Sequence, residues 1–350
     1  MPTEGYIFGR GAQFNTDNKF QQAHYALEHD EGIDELPPVP NRQLIREFPR
    51  TIVSQSNSPD IRIMYSINPY QGCEHGCVYC YARNAHEYWG FSAGLDFESK
   101  IVVKPDAPKL LEQHFQKRTW QAEAIALSGN TDCYQPVERE LQITRQLLQV
   151  FLKYGNPVGI ITKNALIERD LDILSALAAD RLVHIYFSIN SLDEDLRRRM
   201  EPRTASAAKR LAAMEKLSAA GVPCGVMVAP MIPGLNDHEI PQIIRRAAEA
   251  GAVSAGYTVV RLNGAIGPLF HDWIHRAYPD RATKVWKQIQ SMHGGRVNDS
   301  EWGRRMSGDG PVAENIRQLF RVSRDKYLGD REMPPYDLTK FRRNGSYWLF

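Results

Sequence analysis

Cys73, Cys77 and Cys80 fall within eight residues, in the run Cys73-Glu74-His75-Gly76-Cys77-Val78-Tyr79-Cys80, with no fourth cysteine nearby. This CxxxCxxC spacing supplies three thiolates, one too few to close a tetrahedral or cubane site. A ferredoxin-type [4Fe–4S] cluster takes four cysteines, so three leave one iron open to an outside ligand, and an open metal position is where chemistry happens. Zinc is the competing metal. A structural zinc site wants a fourth ligand, for which His75 or the distant Cys133 would serve, but the usual second CxxC knuckle is absent. The zinc-deaminase pattern of HxE followed by PCxxC is also absent, because Gly76 precedes Cys77. His86-Glu87 lacks the second histidine of an HExxH helix. A catalytic iron–sulfur site is the better reading of these spacings.

The elements that must hold such a loop follow from the apolar rhythm. Runs at Arg62–Asn68, Ala124–Ser128, Val158–Thr162, Val183–Ile189, Cys224–Pro230 and Ser254–Val260 alternate with amphipathic stretches near 107–117, 136–153, 168–179, 205–220 and 237–250. That alternation predicts six βα units and a parallel sheet. Gly221 and Gly251 stand where left-handed caps would end the last two helices. In parallel barrels the chemistry sits on loops at the carboxyl ends of the strands. Here those ends read as the cysteine loop, Ser128-Gly129-Asn130, Thr162-Lys163-Asn164, Ser188-Ile189-Asn190, Met231-Ile232-Pro233 and Arg261-Leu262-Asn263, so each strand delivers polar groups to one rim.

With 43% apolar and 24% charged residues the 350-residue chain is a folded globular protein rather than a disordered or coiled-coil one. Its longest apolar run, Val222 to Leu235, is broken by Pro223, Pro230 and Pro233 and falls short of the roughly 18 residues a membrane span needs. No secretory signal is visible at Met1-Pro2-Thr3-Glu4-Gly5-Tyr6, so the cytoplasm is the expected compartment. The formal charge of +2 selects no polyanionic partner. The chain divides into an arm at 1–60, with an acidic stretch from Glu28 to Glu35 and the Pro37-Pro38 pair, a barrel at 61–264, and a C-terminal extension at 265–350.

The cysteine triad, with aromatic Tyr79 before its third member, resembles the signature of the radical S-adenosylmethionine (SAM) superfamily. Ser66-Ile67-Asn68-Pro69-Tyr70-Gln71-Gly72 before it and Tyr81-Ala82-Arg83 after it are similar to the spore photoproduct lyase-related, DNA repair photolyase-like branch. His86-Glu87-Tyr88, Gly90 to Phe97 and the 128–138 segment resemble more narrowly the bacterial PA-type radical SAM proteins. The resemblance runs from about Arg50 to Arg261. It implies an α/β fold, a partial (β/α)6 TIM-like barrel, with an N-terminal arm and a C-terminal helical or extended tail. It further implies that Cys73, Cys77 and Cys80 bind a [4Fe–4S] cluster whose fourth iron is chelated by S-adenosylmethionine. One-electron reduction would then yield a 5′-deoxyadenosyl radical that abstracts hydrogen, with the cofactor carrying the hard chemistry. The electron would come from a protein such as flavodoxin or ferredoxin, and a nucleic-acid lesion enters as substrate by analogy only.

Carried over residue by residue, Ser128, Gly129 and Asn130 stand where the superfamily keeps its methionine-amine segment, although the common Gly-Gly-Glu is not there. Ser188 and Asn190 are placed for the ribose hydroxyls, Met231-Ile232-Pro233 for the adenine edge, and Tyr79 for adenine through its backbone. Arg203, in Glu201-Pro202-Arg203, offers a guanidinium for the methionine carboxylate, with a helix-linker ion pair as the plainer role. Spore photoproduct lyases finish with a cysteine that returns a hydrogen atom, and Cys133 is the candidate here, although lone cysteines are usually packing residues. The tail from Arg317 carries eight basic residues against four acids, interleaved with Phe320, Tyr327, Tyr336, Phe341, Tyr347 and Trp348. It reads either as a strap over the barrel's open side with its charges solvated or as a single-strand grip. The runner-up function is therefore a zinc-stabilised nucleic-acid-binding protein.

Overall fold

The computed structural model describes residues 6–20, 42–58, 60 and 63–345. The acidic stretch, Pro37-Pro38, Arg62, Tyr347 and Trp348 lie outside the described residues.

All six expected strands form. In chain order the strands are β1 (Gln43–Arg46), β2 (Val53–Gln55), β3 (Tyr65–Ile67), β4 (Tyr70–Gln71), β5 (Lys100–Val103), β6 (Ile125–Leu127), β7 (Val158–Thr162), β8 (Val183–Ser188), β9 (Cys224–Met231) and β10 (Ser254–Val259). A seven-stranded sheet has the order β10-β9-β8-β7-β6-β3-β2, parallel throughout except for β2, which pairs antiparallel to β3. Register partners such as Ile160 with Ile185 and Ile185 with Cys224 place apolar residues side by side in the core. Helices Ala107–Gln116, Ile143–Tyr154, Leu171–Ala179, Ala207–Ala219 and Ile240–Glu249 are the crossovers. A small second sheet, β1-β5-β4, frames the segment that carries the cysteines.

Gly221 and Gly251 are left-handed just past their helices, as expected. The predicted 136–153 helix is split at Gln142, whose φ is +51°. The cause is Glu138, buried with one oxygen on Thr144 N at 3.0 Å and the other on Arg169 at 2.8 Å, a geometry a continuous helix would not allow. Of the predicted 168–179 helix, Leu171–Ala179 is α-helical. A 3-10 turn at Ala165–Asp170, whose Leu166 N is capped by the Asn164 side chain, precedes the α-helix.

No hydrogen-bonded pairing joins β10 to β2 among the described residues, so the barrel is partial. Its β10 edge is covered by helix Gly310–Tyr327, where Phe320 lies 4.5 Å from the Tyr257 ring, and by a segment in which Met306 O accepts from Val259 N. Asp60, between β2 and β3, accepts from Gly303 N at 2.9 Å and Arg305 Nε at 2.5 Å, and ties the two edges together.

The rest of the tail takes another path than expected. It crosses the amino ends of β7 and β8, opposite the polar rim. Tyr336 stacks on His184 at 3.8 Å, and Pro334 O bonds the same imidazole. Its arginines meet helix carboxyl ends, where carbonyls lack intrahelical partners. Arg331 donates to Ala248 O and Ala252 O, Arg342 to Leu152 O and Lys153 O, and Arg343 to Lys117 O and Trp120 O. These three arginines donate to the protein's own carbonyls, while Arg321 and Lys326, like Arg331 itself, are exposed, as expected of a solvated face. No described helix is long and apolar enough to cross a membrane.

Replacing Arg342 and Arg343 together by alanine is expected to cost about 1–3 kcal/mol in thermal denaturation and to leave single-stranded oligonucleotide retention unchanged. Unchanged stability with lost retention would restore the strand-grip reading.

Candidate functional site

The cysteine loop leaves β4 at Gly72 and is buried backbone with few regular partners. Cys73 N donates to Phe97 O at 2.8 Å, and Val78 N to Met200 O at 3.1 Å. Arg83, fully buried, donates through Nε to Cys77 O (2.9 Å) and through Nη2 to Gly76 O (3.2 Å) and Glu98 Oε1 (2.6 Å). Its Nη1 holds Ala93 O and Gly94 O. On the other side Glu74 Oε2 accepts from Val137 N and Gln135 Nε2 donates to Gly72 O, which fixes the loop to the start of the next helix. Burial pushes the Cys73 thiol up to about 12, helped by the charges of Asp132 and Cys80. Burial also lifts Cys77 well above the usual thiol range, followed by the charge of Glu201. Such thiols become ligands only with a cation to hold the thiolates.

In front of the loop lies a second buried network. Glu201 accepts from the Tyr79 hydroxyl and from Arg210 Nη2 at 2.7 Å, and Arg210 Nη1 donates to Ser188 O at 2.5 Å. Asn190 Nδ2 donates to the Tyr79 hydroxyl at 3.2 Å, while Asn236 Nδ2 donates to Asn190 O at 2.7 Å and Asn236 Oδ1 accepts from Ile232 N at 2.7 Å. Burial opposes ionisation of Glu201, but Arg210, Lys163 and Tyr79 outweigh it and leave its pKa below the usual value. Four expected residues, Tyr79, Ser188, Asn190 and Ile232, thus meet in one network, and Ile232 shares an apolar cluster with Cys77 and Tyr79. The Ser188 hydroxyl turns to Ala229 O at 3.3 Å. Asn190 Oδ1 is buried and has no hydrogen-bond partner among the described residues.

Ser128, Gly129 and Asn130 lie on the opposite flank. Ser128 sits at φ +86°, and its hydroxyl accepts from Cys133 N at 2.7 Å. Gly129 O accepts from the Tyr81 hydroxyl, and Asn130 Nδ2 donates to Gln71 Oε1 at 2.8 Å. Arg203 stands behind the loop, with Nε on Glu74 O and Nη2 3.3 Å from Glu98 Oε2, so its guanidinium is committed to the scaffold. Two rim cations, Arg261 past β10 and Lys163 just past β7, have no hydrogen-bond or ion-pair partner among the described residues. The Lys163 Nζ lies 6.0 Å from the Tyr79 ring centroid. Burial would discharge it, but Cys77, Glu201, Cys80 and Asp132 together raise its pKa. The sequence showed Lys163 at a strand end; only the count of partners separates it from Arg203. Cys133 is fully buried in the main core, its thiol against Ser128 and Thr144, enclosed rather than presented to the rim.

The zinc ligand sets fare poorly on geometry. His75 is buried with Nδ1 3.4 Å from Asp132 and Nε2 3.3 Å from Asn164 Nδ2, so both ring nitrogens face protein partners, and burial lowers its pKa to about 4. Cys133 is in the core. Among the described residues no three His, Cys, Asp or Glu side chains converge tightly enough for one metal ion. Each thiolate of a cubane binds a different iron, so its ligands stand further apart than those of a single zinc.

Residues 67–247, more than half of the chain, match the Radical SAM superfamily profile. The chain belongs to the radical SAM superfamily. It is accordingly a radical SAM enzyme, and membership implies an iron–sulfur cluster and S-adenosylmethionine. An uncharacterised protein of Mycobacterium tuberculosis is 34% identical to this radical SAM chain over 230 residues, 65% of this chain and 68% of that one. A radical SAM Nα-GlyT isomerase of Pseudomonas phage M6 is 21% identical over 72% of this chain and 50% of its own. The fold is also that of spore photoproduct lyase, solved with dinucleoside spore photoproduct and, as a variant, with AdoMet also bound. Each superposes with a TM-score of 0.60 and 17% identity, covering 84% of this chain and 86% of that one.

Breaking the buried pair by Arg210→Met is expected to cost about 3–5 kcal/mol in urea unfolding, because Glu201 loses its guanidinium partner and keeps Tyr79 and the more distant Lys163. The double variant with Glu201→Gln should recover part of it. Since the folded Glu201 pKa is depressed, the pair's contribution is complete above the ordinary glutamate value of about 4.3 and is lost as pH falls below it. A pH-independent Arg210→Met defect would contradict this.

Proposed function

We propose that Cys73, Cys77 and Cys80 hold a [4Fe–4S] cluster at which S-adenosylmethionine is cleaved reductively, in a cytoplasmic enzyme fed by flavodoxin or ferredoxin. When bound, the reduced cluster and S-adenosylmethionine supply methionine and a 5′-deoxyadenosyl radical that abstracts hydrogen from a substrate. The observation that carries this reading is the pair of unspent polar groups beside the cysteines, the Lys163 ammonium and the buried Asn190 Oδ1.

Lys163 pairs with the methionine carboxylate, the role first considered for Arg203. Asn190 Oδ1 accepts from a ribose hydroxyl, and its orientation is fixed by Tyr79 and Asn236. Gly129 O, with a second lone pair beyond the one taken by Tyr81, and Ser128 and Asn130 beside it face the methionine amine. Ile232 and the Tyr79 backbone border adenine. The rim excludes water by burial of Tyr79, Ile232 and Asn190. A dinucleoside lesion is the first substrate class to test, on fold similarity to spore photoproduct lyase.

Anaerobic reconstitution with iron and sulfide, then dithionite and S-adenosylmethionine, should yield 5′-deoxyadenosine by mass-resolved chromatography, and the Cys73→Ala variant should yield none. A fully loaded, reduced protein that forms none, with or without ultraviolet-damaged oligonucleotide, overturns the proposal. Lys163→Met should retain iron while binding S-adenosylmethionine roughly 10–100-fold more weakly by equilibrium dialysis. Unchanged affinity would remove Lys163 from the site.

A further inference from the structure

Behind the cysteine loop one carboxylate gathers three distant parts of the chain. Glu98, 1% exposed, accepts at Oε1 from Arg83 Nη2 (2.6 Å) and Ala12 N (2.7 Å), and at Oε2 from Gly11 N (3.3 Å) and Arg203 Nη2 (3.3 Å). Arg83 and Arg203 are the same two residues that hold the carbonyls of Gly76, Cys77 and Glu74. The carboxylate lies against the loop itself: a Cβ on Gly76 would sit 2.7 Å from Oε2. Outside it, the N-terminal segment closes the stack. A Cβ on Gly11 would sit 1.7 Å from Gly76 O, and one on Gly94 would sit 2.0 Å from Phe14 O. Arg10 adds a third guanidinium, 3.3 Å from Glu98 O. Further along, Asn15 pairs with Asp96, and Asn18 with Glu87 O and Phe91 O, so the segment runs the length of 87–98.

We propose that Glu98 is the positioning residue of the cysteine loop and the counter-charge of its arginines, with residues 10–12 as the outer seal. Two guanidiniums on the carboxylate and a third on the Glu98 main-chain carbonyl make this side of the loop cationic, and Glu98 is a buried anion that offsets them. Iron–sulfur potentials follow the net charge around the cluster. Removing the carboxylate charge leaves the surroundings more positive, which favours the reduced, more negative cluster and raises its potential. The cluster would then accept an electron more readily and be the weaker reductant. The charge part of this proposal rests on the proposed cluster, and the positioning part does not.

Two measurements separate them. In cluster-free protein, Glu98→Gln should speed amide hydrogen exchange of residues 73–80 with the strands unaffected. Gly11→Ala, which lifts the segment and its two amide donors off Gly76 and Glu98 while leaving the Glu98 charge in place, should do the same. Protection unchanged in both variants would overturn the positioning role even if no cluster ever forms. In reconstituted protein, an EPR-monitored redox titration should place Glu98→Gln at a higher midpoint potential than wild type, with Glu98→Asp restored toward it. An unchanged or lowered midpoint in Glu98→Gln would overturn the counter-charge role. A wild-type protein that takes up no cluster would instead count against the iron–sulfur assignment.

Discussion

A loop that must be buried and yet irregular leaves its carbonyls and amides to find partners outside any strand or helix. The segment from Gly72 to Cys80 meets this constraint with two arginines. Arg83 takes the carbonyls of Gly76 and Cys77, and Arg203 takes Glu74 O with its side chain and His75 O with its own amide. A guanidinium is suited to the task because its planar donors reach several oxygens at once without being discharged by burial. Each arginine in turn needs an anion, and Glu98 serves both. The shape of the cysteine loop is therefore set by charge pairing in a low-dielectric interior, where an unpaired member would be costly.

The same logic, mirrored on the front of the loop, builds a second buried frame, the one to which the proposed cofactor contacts belong. Glu201 and Arg210 are buried together and fix the Tyr79 hydroxyl, the Asn190 amide and the end of β8 in one frame. Asn236 extends the frame to the turn after β9. Among the groups that the described residues leave without a hydrogen-bond partner here are the Lys163 ammonium and Asn190 Oδ1. A parallel sheet suits the arrangement because every strand ends on the same rim, so residues from β6, β7, β8 and β9 reach one another across more than a hundred positions of sequence.

The strands were legible because parallel strands covered on both faces read as short apolar runs, and Val158–Thr162 matched to the residue. The three cysteines were legible by spacing alone. Partnership was not. Arg203 and Lys163 look equally fit to meet a carboxylate in sequence, and only the fold reveals that the first is bound to Glu98 and Glu74. Cys133 lies five residues from the rim yet faces inward, since the turn at Ser128, at φ +86°, redirects the chain. Likewise the basic tail carries charges that sequence cannot assign, and the helix carboxyl ends they cap are assembled from three separate βα units. Gln142 broke its helix because Glu138 is drawn into a buried network whose members lie far away in sequence.

If the three thiolates hold a cubane, its open iron is the one that S-adenosylmethionine reaches. The direct measurement is the EPR spectrum of the anaerobically reconstituted, dithionite-reduced protein before and after S-adenosylmethionine is added, together with metal analysis. A cubane with an open iron should give a reduced [4Fe–4S] signal whose g values shift when S-adenosylmethionine is added. A colourless protein carrying zinc at the cysteines, or a cluster signal indifferent to S-adenosylmethionine, would contradict this expectation.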